Sequence, residues 1–106
     1  NHKQLDGTTE DVLDMGDIAA KATSFGWHTQ SIEGQDITAI ANAITAAKQA
    51  KGQPSCIVLN TTKGAGIKCI EDIKFNHHVA LEGELLTQAL GEARQALEAV
   101  EGGGNE

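Results

Sequence analysis

The most continuous apolar run of the chain, Cys56-Ile-Val-Leu59, opens after Pro54 and empties into Asn60-Thr-Thr-Lys-Gly-Ala-Gly66. It reads as a buried strand from Ser55 to Thr61 with a glycine-rich exit. Ahead of it, Trp27-His-Thr-Gln-Ser-Ile32 alternates large and polar residues, the period of a second strand. Between the two, Ile37, Ile40, Ala41, Ile44 and Ala47 recur at helical spacing. Asp36, after the turn Glu33-Gly-Gln35, is placed as the N-cap of that helix, and Lys48, Lys51 and Gly52 close it. Strand, helix and strand in succession predict a right-handed crossover, hence two parallel strands and an α/β fold.

The flanks are simpler. A short helix is predicted from Asp17 to Phe25, with Ile18, Ala22 and Phe25 on one face and Gly26 as a left-handed stop. A longer one is predicted from Glu84 to Val100, with Leu86, Leu90, Ala93, Leu97 and Val100 on one stripe. The opening Asn1 to Gly7 is rich in turn signals, and Thr8-Thr9 ahead of acidic residues suits the cap of a short helical turn. Ile67 to Phe75 shows no regular period, and an irregular segment inside a compact domain is commonly functional. Glu101 to Glu106, with its glycine run, reads as a flexible tail. Two strands cannot bury both faces of a parallel sheet, so Ile57, Val58 and Leu59 require neighbouring strands, expected before Asn1.

Composition narrows the picture. A chain of 106 residues is one domain at most; at that length roughly two-thirds of the unfolded surface is buried. A formal net charge of −7, with Phe25, Trp27 and Phe75 as the aromatic residues, excludes the basic, ring-lined surface that nucleic acid needs. No apolar run approaches membrane-spanning length and no charged-then-apolar leader is present, so a soluble protein is expected. Cys56 lies within the predicted strand and Cys69 beyond the glycine loop, in neither the number nor the spacing of a disulfide framework or zinc site. A reducing, cytoplasmic setting is expected. A chain starting at an asparagine in a polar loop also reads as part of something longer.

The candidate chemistry sits at the exit of the apolar strand. Open α/β sheets bind ligands at the carboxyl ends of their strands. There Lys63 offers a countercharge, and Gly64 and Gly66 allow backbone N–H groups to approach an anion such as a phosphate or diphosphate. The spacing is neither that of a Walker A loop nor that of a GxGxxG fingerprint. Taken alone, the loop reads first as a plain strand exit bearing one solvated lysine.

Five blocks then stand in one order and spacing: Asn1 to Asp6-Gly7, Ser24-Phe-Gly-Trp-His28, Ile32-Glu-Gly-Gln-Asp36, Asn60-Thr-Thr-Lys-Gly-Ala-Gly66, and Asn76-His77. Together they resemble the carboxyl-terminal half of the thiamine-diphosphate-binding domain of transketolases. The resemblance implies a parallel-sheet fold of which residues 1–101 are that half, a βαβ unit followed by a carboxyl-terminal helix, with 102–106 as tail. Deoxyxylulose-phosphate synthases look similar over the core but carry a long insertion after the metal-binding Asn, whereas Asn1 leads almost at once to Asp6-Gly7. Dihydroxyacetone synthase, a transketolase relative, stays open as an alternative.

The same resemblance implies roles, residue by residue. Asn1 matches the Asn whose side-chain oxygen binds Mg²⁺, with the backbone carbonyl of Lys3 as a second oxygen and an Asp from an earlier segment as the remaining protein ligand. Leu5 matches the apolar position packed near the cofactor rings. Lys63 matches a lysine that in some transketolases contacts the cofactor diphosphate. His77 matches the active-site histidine that touches both diphosphate and sugar. His78 stands where the family usually has glycine. The activity implied is transfer of a two-carbon ketol unit between sugar phosphates, in a site completed by a pyrimidine-binding domain or subunit. After His78 the chain offers one amphipathic helix and then Gly102-Gly-Gly104 in place of a linker, the pattern of the shorter subunit of a split transketolase, assembled as a dimer or heterotetramer. Two readings of other classes remain: a non-catalytic α/β module binding some other phosphate ligand, and a structural portion inactive alone.

Overall fold

The computed structural model describes residues 1–102. The chain divides into two compact units, one made of Asn1 with Thr9–Thr61, the other of His2–Thr8 with the chain from Thr62 onward.

The first unit is built on the predicted strand–helix–strand succession. Strand β3 (His28–Glu33), helix α3 (Ile37–Gln49) and strand β4 (Ser55–Asn60) follow one another, and β3 pairs with β4 in parallel from His28↔Ser55 to Glu33↔Asn60. The α/β class is as expected, with β3 one residue later than the Trp27–Ile32 pattern and β4 ending one residue short of Thr61. Asp36 caps α3 as expected, its carboxylate accepting from the N–H groups of Thr38 at 2.8 Å and Ala39 at 3.1 Å. Short helix α1 (Thr9–Leu13) opens the unit and α2 (Ile18–Ser24) follows it. The Asp17 carboxylate accepts from Ala20 N–H at 2.8 Å, and Gly26, at φ 84°, turns the chain out of α2 toward β3.

The packing face of α3 follows the predicted stripe only in part. Ala43 is its buried residue, whereas Ile37 is 82% exposed and Ile44 is also exposed. Small side chains let the helix lie close to the strands, close enough for Gln30 Nε2 on β3 to donate to the Ala43 carbonyl at 2.9 Å. Of the predicted stripe, Ile40 and Ala47 are half-buried on the side of Ala43, while Ile37 and Ile44 turn outward.

In the second unit, the turn-rich opening is a minimal hairpin in which β1 (Lys3–Gln4) pairs antiparallel with β2 (Gly7–Thr8). The stretch from Ile67 to Phe75, expected to lack regular structure, contains one helical turn, α4 (Lys68–Glu71). Helix α5 (Gly83–Gly102) runs beyond the predicted Val100, so Glu101 and Gly102 are helical where a tail was expected. The rest of that predicted tail, 103–106, lies outside the described residues. Helix α5 packs against α4, Ala89 is its buried residue, and Cys69 N–H donates to a Glu92 carboxylate oxygen at 3.0 Å. Of the predicted stripe Leu86, Leu90, Ala93, Leu97 and Val100, only Ala93 is half-buried; the less exposed positions of α5 are Leu85, Ala89 and Gly91 to Ala93.

Candidate functional site

Strand β4 delivers Thr61 to Gly66 at its carboxyl end, and the loop winds tightly at once. Ala65 N–H donates to the Thr62 carbonyl at 3.2 Å and Ile67 N–H to the Gly64 carbonyl at 3.3 Å, while Gly66 N–H donates to the Glu71 side chain at 3.0 Å. The expectation that the glycines leave N–H groups free for an anion is therefore corrected for Gly66, whose N–H already meets a carboxylate. Both glycines take left-handed turns, and Gly64 packs closely as well. Gly64 has φ 85°, and a β-carbon there would lie 2.9 Å from Ile70 Cγ2.

What remains available to a ligand is side-chain chemistry. Lys63 Nζ lies 3.0 Å from His77 Nδ1. A lysine ammonium donates and cannot accept, so this contact makes Nδ1 the acceptor and leaves the proton on Nε2, the nitrogen on the far side of the ring. Lys63 is half-buried and His77 exposed. An anion oxygen beside the pair would meet two nitrogen donors once the lysine turns to it, and this donor set fits a phosphate group.

The pair is held from behind by Asn76. Its Nδ2 donates to the Lys63 carbonyl at 3.1 Å and to the Ile70 carbonyl at 2.9 Å. Lys3 reaches the same stretch of chain, its Nζ donating to the carbonyls of Glu71 and, at 3.0 Å, Ile73. In the sequence Asn76 stood out only as part of a block, Lys3 had a role through its carbonyl alone, and Glu71 had none. The available signal was a polar Asn set between Phe75 and His77, since a short amide side chain readily cross-links nearby backbone.

The other candidate residues are placed as follows. Asn1 groups with the first unit, and Lys3, Leu5, Lys63 and His77 with the second. Leu5 sits at the tip of the hairpin, 53% exposed. His2, between the two positions proposed for the metal, is in the left-handed region at φ 58°, a conformation a non-glycine residue seldom adopts. Among the described residues no cluster of three or more His, Cys, Asp or Glu side chains could hold a metal ion. No helix of the described residues is long and apolar enough to cross a membrane, and Cys56 and Cys69 are free thiols.

Two parallel strands joined through a crossover helix define an α/β fold. The chain belongs to the transketolase family: residues 1–97 match the model of the transketolase thiamine diphosphate binding domain. It is 38% identical over 92 residues to the 6-deoxy-6-sulfo-D-fructose transketolase subunit of Clostridium sp. (strain MSTE9), covering 87% of this chain and 34% of that protein. It is 34% identical over 94 residues to one of the subunits of the apulose-4-phosphate transketolase of Actinobacillus succinogenes, covering 89% and 34%. A transketolase from Pichia stipitis solved with xylulose 5-phosphate superposes with a TM-score of 0.58 at 25% identity, covering 95% of this chain and 18% of that one. The chain thus spans about a third of the length of these curated relatives.

Proposed function

We propose that this chain holds the diphosphate end of thiamine diphosphate, with Mg²⁺, in an enzyme that transfers a two-carbon ketol unit between anionic sugars such as sugar phosphates. The observation that carries the reading is the Lys63–His77 pair, 3.0 Å apart beyond β4. Relatives named for a phosphorylated and a sulfonated sugar support an anionic substrate. When bound, the cofactor supplies the chemistry that makes and breaks the carbon–carbon bond beside a carbonyl. The residues' share is binding and aim. Lys63 offers a point charge to the diphosphate, and His77, with its Nε2 proton outward, donates to phosphate and to a sugar oxygen. The Asn1 side-chain oxygen and the Lys3 carbonyl are the proposed Mg²⁺ ligands, in keeping with that ion's demand for oxygen. Leu5, exposed at the hairpin tip, offers an apolar surface to the cofactor rings.

In this reading residues 1–101 belong to the carboxyl-terminal half of the diphosphate-binding domain. The partner is a pyrimidine-binding domain or subunit, in a dimer or heterotetramer, and the setting is cytoplasmic. Relatives named as subunits support the partner, and the exposed faces of α3 and α5 support further packing. Those exposed faces also favour a second statement: these 106 residues alone catalyse no ketol transfer. The test is calorimetric titration of the intact protein with thiamine diphosphate and Mg²⁺, beside nucleoside diphosphates. Selective, Mg²⁺-dependent binding weakened by Lys63→Ala is expected; equal binding of nucleotides would leave a generic phosphate module instead.

A further inference from the structure

We infer that Asn76 is a positioning residue: its amide fixes the backbone beneath Lys63 and beside His77 so that the two side chains meet at one anion, an inference that rests on the function proposed above. The geometry is specific. One Nδ2 group donates to both the Lys63 carbonyl, at 3.1 Å, and the Ile70 carbonyl, at 2.9 Å. An amide nitrogen has two protons, so both are spent, and two carbonyl acceptors fix which end of the amide faces them. Oδ1 is buried and has no hydrogen-bond partner among the described residues. Asn76 is therefore oriented by its two donations alone.

The three segments so joined are the strand exit bearing Lys63, the helical turn α4 through Ile70, and the residue preceding His77. The helical turn is itself anchored. Lys3 Nζ donates to the Glu71 and Ile73 carbonyls, and Gly66 N–H returns to the Glu71 side chain. Gly64 completes the fit: a β-carbon there would lie 3.4 Å from Asn76 Nδ2 and 2.9 Å from Ile70 Cγ2, so the chain next to Lys63 lies close against α4. Lys63 and His77 are fourteen positions apart in sequence, yet their nitrogens are 3.0 Å apart. Asn76 is the side chain that spans the gap between their backbones.

The test replaces Asn76 in the intact protein by Leu, of similar size without a donor, and by Ser, which keeps one. The first readout needs no cofactor: ring nitrogen and carbon chemical shifts of His77 report which nitrogen carries the proton. In the parent protein Nδ1 accepts from Lys63 and Nε2 carries the proton; Asn76→Leu is expected to give a mixture of tautomers, with Asn76→Ser between. If Asn76→Leu fails to fold, the Ser variant alone decides, and an unchanged His77 spectrum overturns the inference. The second readout is the thiamine diphosphate concentration for half-saturation, expected to rise about tenfold in Asn76→Leu, as for loss of one hydrogen bond. In a Lys63→Ala background the same change should add little, because Asn76 acts through that pair; full additivity overturns the inference. Should Lys63→Ala itself leave cofactor affinity unchanged, the proposed function fails, while the His77 tautomer still decides the role of Asn76.

Discussion

Gly34 and Thr61 are packed so closely that a β-carbon on Gly34 would lie 2.5 Å from Thr61 Cγ2, with Leu59 Cβ at 2.9 Å and the Asn60 carbonyl oxygen at 3.0 Å. Gly34 N–H also donates to that carbonyl at 2.8 Å. The turn after β3 thus clasps the end of β4 just before Lys63. Gly34→Ala is expected to destabilise the intact protein by roughly 1–3 kcal/mol, the usual range for overpacking. Gly91, inside α5 with nothing within 4 Å of its would-be β-carbon, is the control. Gly91→Ala should stabilise by about 0.5–1 kcal/mol through helix propensity. Denaturant unfolding of the two variants should move in opposite directions.

Lys63 and His77 are expected to fail differently. Losing a charged hydrogen bond costs roughly 1.5–3 kcal/mol, so Lys63→Ala should raise the thiamine diphosphate needed for half-saturation about ten- to a hundredfold and be rescued by excess cofactor. His77→Ala should lower kcat even at saturating cofactor, through loss of the sugar contact, and His78→Ala should do markedly less. Full rescue of His77→Ala by cofactor, or a worse defect in His78→Ala, would refute the assignment.

Asp36 carries the start of the crossover helix, with two backbone N–H groups on one carboxylate oxygen. Asp36→Ala should cost about 1 kcal/mol, and Asp36→Ser much less, because a hydroxyl can take the same role. Thermal unfolding of the two variants at equal pH checks the order.

Glu92 gives a pH dependence of known sign. The Cys69 N–H holds its carboxyl below the ordinary carboxylate range, with burial opposing and the Gln88 side chain assisting. The Cys69 thiol is in turn pushed up, mainly by burial and then by the Glu92 charge. A depressed folded-state pKa contributes stability that is complete above the unfolded value, near 4.3 for glutamate, and lost as pH falls through the folded one. The stability gap between the parent protein and Glu92→Gln should therefore be steady at neutral pH and close below about pH 4. A gap independent of pH would mean that the carboxylate charge is not what joins α4 to α5.

Where a single residue type decides the local structure, the sequence was a sufficient guide. Asp17 and Asp36 cap their helices, Gly26 turns out of α2, and the apolar run after Pro54 pairs in parallel with its predecessor. Side-chain size misled in part: hydrophobic periodicity weights isoleucine and leucine most, while the buried residues are Ala43 and Ala89 and, of the predicted stripes, Ile40, Ala47 and Ala93 are half-buried. At the site, Lys63 and His77 were legible as two contacts of one diphosphate, and the structure sets them side by side. The network behind them was not. Asn76 bonds to carbonyls, as does the side chain of Lys3, and carbonyls are the same in every residue, so no pattern of side chains announces the bond.

The parallel register of β3 and β4 bears on how such a chain can change in evolution. From His28↔Ser55 to Glu33↔Asn60 the strands advance in step, without a bulge. Successive residues of a strand face opposite sides, so deleting one residue within β4 would reverse every later side chain of the strand and deliver the chain toward Lys63 from the wrong face. Length variation is best absorbed at the Lys51-Gly-Gln53 connection, where Gly52 is at φ 76° and nothing crowds its would-be β-carbon. Among descendants of this sequence, insertions and deletions should gather in that turn and spare the six rungs of the strand pair.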